Sequence, residues 1–138
     1  MDSQGAKKTI MAGLSTMMRE LIWVFVGGGV GASLRVLFVA AMDRRFSDQL
    51  AHIGVLAANM VGCLLIGFLA AALPQGTLRS GLIGGLVGGF TTYSAFALLK
   101  VGLLVDGRWG AFAAQLCVHL AGGIIAVGIG TLLGRNIT

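Results

Sequence analysis

Gly84-Gly85-Leu86-Val87-Gly88-Gly89-Phe90-Thr91-Thr92-Tyr93-Ser94-Ala95-Phe96 lies inside an apolar run, where a membrane helix is ordinarily built from Leu, Ile, Val and Ala. Four glycines let the backbone leave helical geometry, and two threonines and a serine supply hydroxyls. Phe90, Tyr93 and Phe96 follow one another at spacings of three, which places the rings on one face wherever helix resumes. The stretch reads as a broken membrane helix that coordinates an ion with backbone carbonyls and lines a narrow pore. Non-helical backbone at membrane depth is tolerated only against protein or a water-filled cavity, and its freed carbonyls can hold a cation.

Composition supplies the setting. Of 138 residues 57% are apolar and 11% charged, with a mean hydropathy of +0.92. Soluble domains carry about 25% charged residues, so the chain is an integral membrane protein. Glycine is used 23 times and proline once, a balance that favours close helix packing. Ten Lys and Arg stand against five Asp and Glu. These basic residues sit at the ends of apolar segments and form no run or stripe, so they mark topology rather than a nucleic-acid surface. Cys63 and Cys117 are isolated apolar-segment cysteines without metal or redox spacing. His52 lies at a segment edge, and His119 within the last segment reads as a packed, hydrogen-bonded helix residue.

Outward from the opening stretch, the chain divides into a polar, loose extension over residues 1–20 and a four-helix membrane domain over 21–138. The spans are predicted at 21–42, 53–73, 78–105 and 109–133, each long enough for the roughly 20 residues that a hydrocarbon core requires. The third is longer than one straight helix needs, which fits a break over residues 88–92. Residues 43–48 form a polar loop, and Pro74-Gln75-Gly76 and Asp106-Gly107-Arg108 are turns. Gly27 and Gly31 make a close-packing face on the first span. Arg35, inside the same span, either snorkels to the interface or forms an electropositive vestibule for anions. Asn59, inside the second, either ties helices together or lines a wet path.

Four spans with short loops leave function nowhere but in the bilayer, and four short helices enclose too little volume for a pore, so an oligomer is expected. Lys7, Lys8, Arg19, Arg79 and Arg135 fall on the N-terminal side, against Arg44, Arg45, Arg108 and a snorkelling Lys100. This near-balance allows insertion both ways and an antiparallel dual-topology dimer. Every carboxylate lies outside the spans, whereas a proton-coupled small multidrug exporter needs one within. That reading is therefore demoted, and with no nucleophile–base pair, metal cluster or phosphate loop the chain is not expected to be an enzyme. Ring edges carry partial positive charge. Beside Thr and Ser hydroxyls, the aromatic stripe could instead pass a small anion without a full charge to trap it.

Residues 28–35 (GGVGASLR), 54–62 (GVLAANMVG) with Gly67, and 88–96 (GGFTTYSAF) resemble, in order and spacing, the signature blocks of the Fluc, or CrcB, fluoride channels. The resemblance covers residues 21–133. It implies an all-α membrane protein of four transmembrane helices, broken in the third, that assembles as an antiparallel dual-topology dimer with two fluoride pores. It also implies a central structural sodium ion, multi-pass residence in the cell (inner) membrane, and passive efflux of fluoride that accumulates as the weak acid. By position, Gly88 and Thr91 resemble the carbonyl ligands of sodium. Asn59 resembles the pore asparagine, Tyr93 and Phe96 the paired rings, Ser94 the hydroxyl beside them, and Arg35 the vestibule arginine. The sequence departs from the pattern at Tyr93, Ala95, Val55, Gly123 and Val127, where phenylalanine or hydroxyl residues are usual. These losses point either to a less hydroxylated path in a homodimer or to a non-conducting or partly conducting subunit of a heterodimer. The balanced basic count favours the homodimer.

Overall fold

The computed structural model describes residues 3–46 and 53–137. Among these, helix is the only regular structure, and four segments are long and apolar enough to cross a membrane. The first helix, α1, runs over Ser3–Phe46, and α2 over Ile53–Ala72. The third span, Thr77–Val105, is composite. It comprises α3 (Thr77–Arg79), a π-type stretch (Ser80–Val87), α4 (Gly88–Phe90) and α5 (Tyr93–Val105). The chain ends in α6, Trp109–Arg135.

α1 differs from the sequence reading at both ends. Its 44 residues span about 66 Å at 1.5 Å each, twice a hydrocarbon core of about 30 Å. The N-terminal residues expected to be loose continue the helix from Ser3, with side chains exposed over 7–19. Asp43, Arg44 and Arg45, expected in a loop, form its last turns, and Asp43 Oδ1 accepts the Gly54 N–H at 2.9 Å, tying α1 to the start of α2. Ser47, Asp48 and His52 lie outside the described residues.

Two backbone-to-backbone contacts hold the bundle. α1 lies along the glycine-rich first half of the third span, where a Cβ on Gly27 would stand 2.6 Å from the Gly81 carbonyl oxygen and one on Gly31 would overlap the Leu86 carbonyl. Only glycine permits that approach, which replaces side-chain interlocking with dense backbone dispersion contact. α2 lies along α6 in the same manner, with Gly67 against Val127 and Gly130 against Leu64. Arg79 at the start of the third span donates to the Leu73 carbonyl at 3.0 Å, satisfying the end of α2 across the turn. Among the described residues few side chains are fully enclosed: Val87 at 2% exposure is the largest, and long apolar side chains face outward on every span.

Candidate functional site

The site is built on two residues. After Phe90 the chain straightens through Thr91 (φ −84°, ψ 157°) and Thr92 (φ −150°, ψ 111°) before α5 starts at Tyr93. Extended residues between helices leave backbone groups that must be satisfied in place. Asn59 does this for Thr92 as a second peptide group would: its Oδ1 accepts the Thr92 N–H at 2.9 Å and its Nδ2 donates to the Thr92 carbonyl at 3.2 Å. Arg35 Nη1 donates to the Thr91 carbonyl at 3.2 Å. The Thr92 hydroxyl accepts the Ala95 N–H at 3.3 Å and caps α5. Thr91 Oγ1 turns back to the Val87 carbonyl at 3.2 Å and the Gly88 carbonyl at 3.4 Å.

These bonds bear on two alternatives left open by sequence. Arg35 does not snorkel: it is half-buried and bonded across to the third span. Asn59 ties helices together and also lines a cavity.

The residues expected on an anion path occupy two cavities. Asn59, Tyr93 and Phe96 line one of about 310 Å³, together with Thr91, Thr92 and His119. Arg35 and Ser94 line a second, of about 660 Å³, with Asp43, Thr92 and Ala95. Thr92 belongs to both walls, and its hydroxyl lies 3.3 Å from that of Ser94. Phe96 is buried at 8% exposure, whereas Tyr93, its ring centroid 5.7 Å away, is 80% exposed on the outer face of the bundle. Gly88 is likewise exposed.

Gly88 and Thr91, expected to offer carbonyls to sodium, sit one turn apart, and their oxygens are of the hard type that suits an alkali cation. The Arg35 bond takes one lone pair of the Thr91 oxygen and leaves the other. The donor set therefore fits such an ion. Among the described residues no group of three or more His, Cys, Asp or Glu could hold a metal.

Three participants were not foreseen. Thr92 was one of several hydroxyls in the sequence, and nothing marked it as the residue shared by both cavities. Lys100 is buried at 5% exposure rather than reaching the interface, and its ammonium donates to the side-chain oxygen of Gln115. His119 lies tilted against the Phe96 ring, centroids 4.4 Å apart, and donates through Nδ1 to the Gln115 carbonyl, 3.0 Å away. The spacing of four between Phe96 and Lys100, and between Gln115 and His119, was the available signal. Of the departures noted in sequence, Gly123 and Val127 fall on the α2–α6 contact, where Gly123 faces Cys63 and Met60 and the Val127 backbone meets Gly67.

The family model described as CrcB-like protein, Camphor Resistance (CrcB), matches residues 22–131. The chain belongs to the CrcB family. Among its relatives is the fluoride-specific ion channel FluC of Bacteroides fragilis, 37% identical over 125 residues that make up 86% of this chain and 98% of the relative. The protein of the same description from Chelativorans sp. is 36% identical, covering 87% and 99%. That from Chloroflexus aurantiacus is 33% identical, covering 86% and 97%. CrcB relatives are thus channels by description, not enzymes. The match begins within α1 and takes in every residue of both cavities as well as Lys100 and Gln115, while residues 3–21 precede it.

Proposed function

We propose that the chain forms a fluoride-selective ion channel that lets cytoplasmic fluoride leave passively across the cell (inner) membrane. The observation that carries this is a CrcB chain whose two cavities share one lining threonine, with Asp43 the one carboxylate among the described residues that lines either of them. An anion entering the wider cavity meets the Arg35 guanidinium and the Ser94 and Thr92 hydroxyls. Beyond Thr92 it passes the Asn59 amide and the edges of Phe96 and Tyr93, which present weak positive charge suited to passage rather than capture.

The exposure of Tyr93 and Gly88 on one subunit supports an antiparallel dual-topology dimer in which a second copy covers this face. The Gly88 and Thr91 carbonyls of the helix break, doubled by the second copy, would hold a central structural sodium. That ion would supply fixed charge and rigidity at the contact. Proteoliposomes containing the purified chain should release fluoride electrogenically and release chloride hardly at all. Chloride release at the fluoride rate overturns the reading, and proton-coupled uptake of a cationic dye would restore the exporter.

A second reading has one observation in its favour. With Lys100 buried, the basic residues at span ends divide five to three, a bias toward one orientation. A subunit inserted in one orientation would need a divergent partner, and fluoride flux from this chain alone decides for the homodimer.

A further inference from the structure

Lys100 has a setting that the anion path above does not use. Its ammonium lies over the Phe96 ring, 5.2 Å from the centroid, and donates to the Gln115 side chain. It is 5% exposed. A buried cation requires compensating negative charge, and a neutral amide with a ring face supplies only part of it. The nearest carboxylate along the chain is Asp106, six residues on, about 9 Å along the helix axis. Asp43 is engaged with the Gly54 N–H where α1 meets α2.

His119, also against the Phe96 ring, cannot supply the positive charge while neutral. Its Nδ1 carries the proton that the Gln115 carbonyl accepts, so Nε2 presents a lone pair, and Nε2 is buried without a partner among the described residues. Gln115 therefore organises both neighbours, holding Lys100 through its side chain and His119 through its backbone. The titratable groups around the ring are Lys100 and Tyr93 from α5, His119 from α6 and, at the cavity wall, Cys63 from α2. Of these side chains only Lys100 is an amine, cationic in its ordinary form.

We propose that Lys100 is the fixed cation of the anion path, a positioning residue that acts through Phe96. A cation over the face of an aromatic ring draws electron density from it, and so makes the ring edge a stronger site for a small monovalent anion. The arriving anion in turn offsets the uncompensated ammonium, so anion and lysine stabilise each other across the ring. This inference rests on the fluoride-channel reading and deepens it: the anion is retained at Phe96 by a charge one residue layer behind the cavity wall.

Lys100→Gln and Lys100→Met remove the charge, the first keeping a polar group for Gln115, and Lys100→Arg keeps it. In proteoliposomes loaded with graded potassium fluoride, the half-saturating concentration should rise about tenfold in both neutral variants, the scale expected of one screened charge at this range. Lys100→Arg should stay within about threefold of the unmodified chain on the same grounds. Half-saturation unchanged in Lys100→Gln, or raised as far in Lys100→Arg as in Lys100→Gln, overturns the proposal. Fluorine-19 resonance broadening on titrating potassium fluoride into the detergent-solubilised chain reads the site without flux. Broadening weakened by both neutral substitutions supports the site even for a chain that conducts nothing, an outcome that would defeat the channel reading alone. Equal broadening in all variants defeats the site and leaves the channel reading standing. Where Lys100→Met fails to assemble, Lys100→Gln and Lys100→Arg carry the comparison.

Discussion

The halves of the third span do opposite jobs with opposite chemistry. From α3 through α4 the chain presents backbone: glycines at 81, 85 and 89 bring it against α1 so closely that carbonyls and Cα atoms form the contact. From α5 onward it presents side chains. Tyr93 and Val105 are each 80% exposed and Leu98 73%, while Phe96 and Lys100 turn inward to α6. Thr91 and Thr92 separate the two regimes and are themselves held by Asn59 and Arg35 from the neighbouring helices. The first half is thus specified by shape, with little room for an added atom at Gly81, Gly85 or Gly89, whereas the second is specified by polarity and charge and leaves its outer face exposed.

The sharpest way to break this contrast is to place a side chain in the first half's contact. Gly31→Leu would drive atoms into the Leu86 carbonyl and toward the Phe90 N–H, 2.9 Å from a Cβ. The overpacking cost of about 3 kcal/mol or more should abolish recovery of assembled protein, measured by size-exclusion chromatography and thermal unfolding in detergent. Gly29→Ala, on the open side of the same helix, should leave both unchanged, since nothing lies within 4 Å of its added carbon. Equal losses from the two substitutions would mean that helix propensity, not contact, sets the glycine requirement.

In the second half the expected loss is functional. Phe96→Ile keeps an apolar group beside Lys100 and His119 but removes the ring edge, so fluoride efflux should fall at least about tenfold with assembly intact. Unchanged efflux would take Phe96 out of the path. Asn59→Leu tests the boundary between the regimes. It leaves the Thr92 N–H and carbonyl unpaired in a half-buried setting, at up to about 1–3 kcal/mol each before relaxation. Both thermal stability and efflux should drop. A stability loss with normal efflux would make Asn59 glue alone.

The four spans were legible because a run of about 20 apolar residues has few other uses, and the three blocks were legible because their residues are unusual in hydrocarbon. Other features leave weaker traces. Lys7, Lys8 and Arg19 interrupt hydropathy but not helix propensity, so α1 begins earlier than the apolar count predicts. The wide π-type turn over Ser80–Val87 has no side-chain pattern, since glycine faces carry none. Lys100 read as an interfacial anchor because a basic residue near a span end ordinarily snorkels. Its partner Gln115 is fifteen positions away across a turn, and only the antiparallel packing of α5 on α6 brings the amide to the ammonium. The anion-path residues were named together, but their division between two cavities depends on where Thr92 stands, which is tertiary information.

The smallest effect is expected at Ser94, and it decides what the hydroxyls beside Thr92 are for. Ser94 is exposed, and its Oγ lies 3.3 Å from Thr92 Oγ1, which already accepts the Ala95 N–H. Ser94→Ala therefore leaves the cap of α5 in place and removes one exposed hydrogen bond, a change of no more than about 0.5 kcal/mol. Thr92→Val removes the cap itself, at about 1 kcal/mol. If the hydroxyls act only on the fold, stability and efflux should follow that order together. If Ser94 also offers a donor to the anion in the wider cavity, Ser94→Ala should lower efflux about twofold to threefold while the unfolding temperature stays fixed, because one neutral donor among several sets a small part of the barrier. Efflux and unfolding temperature both unchanged in Ser94→Ala would assign the wider cavity's hold on the anion to Arg35 and Thr92, and would move the start of side-chain recognition from Ser94 to Phe96.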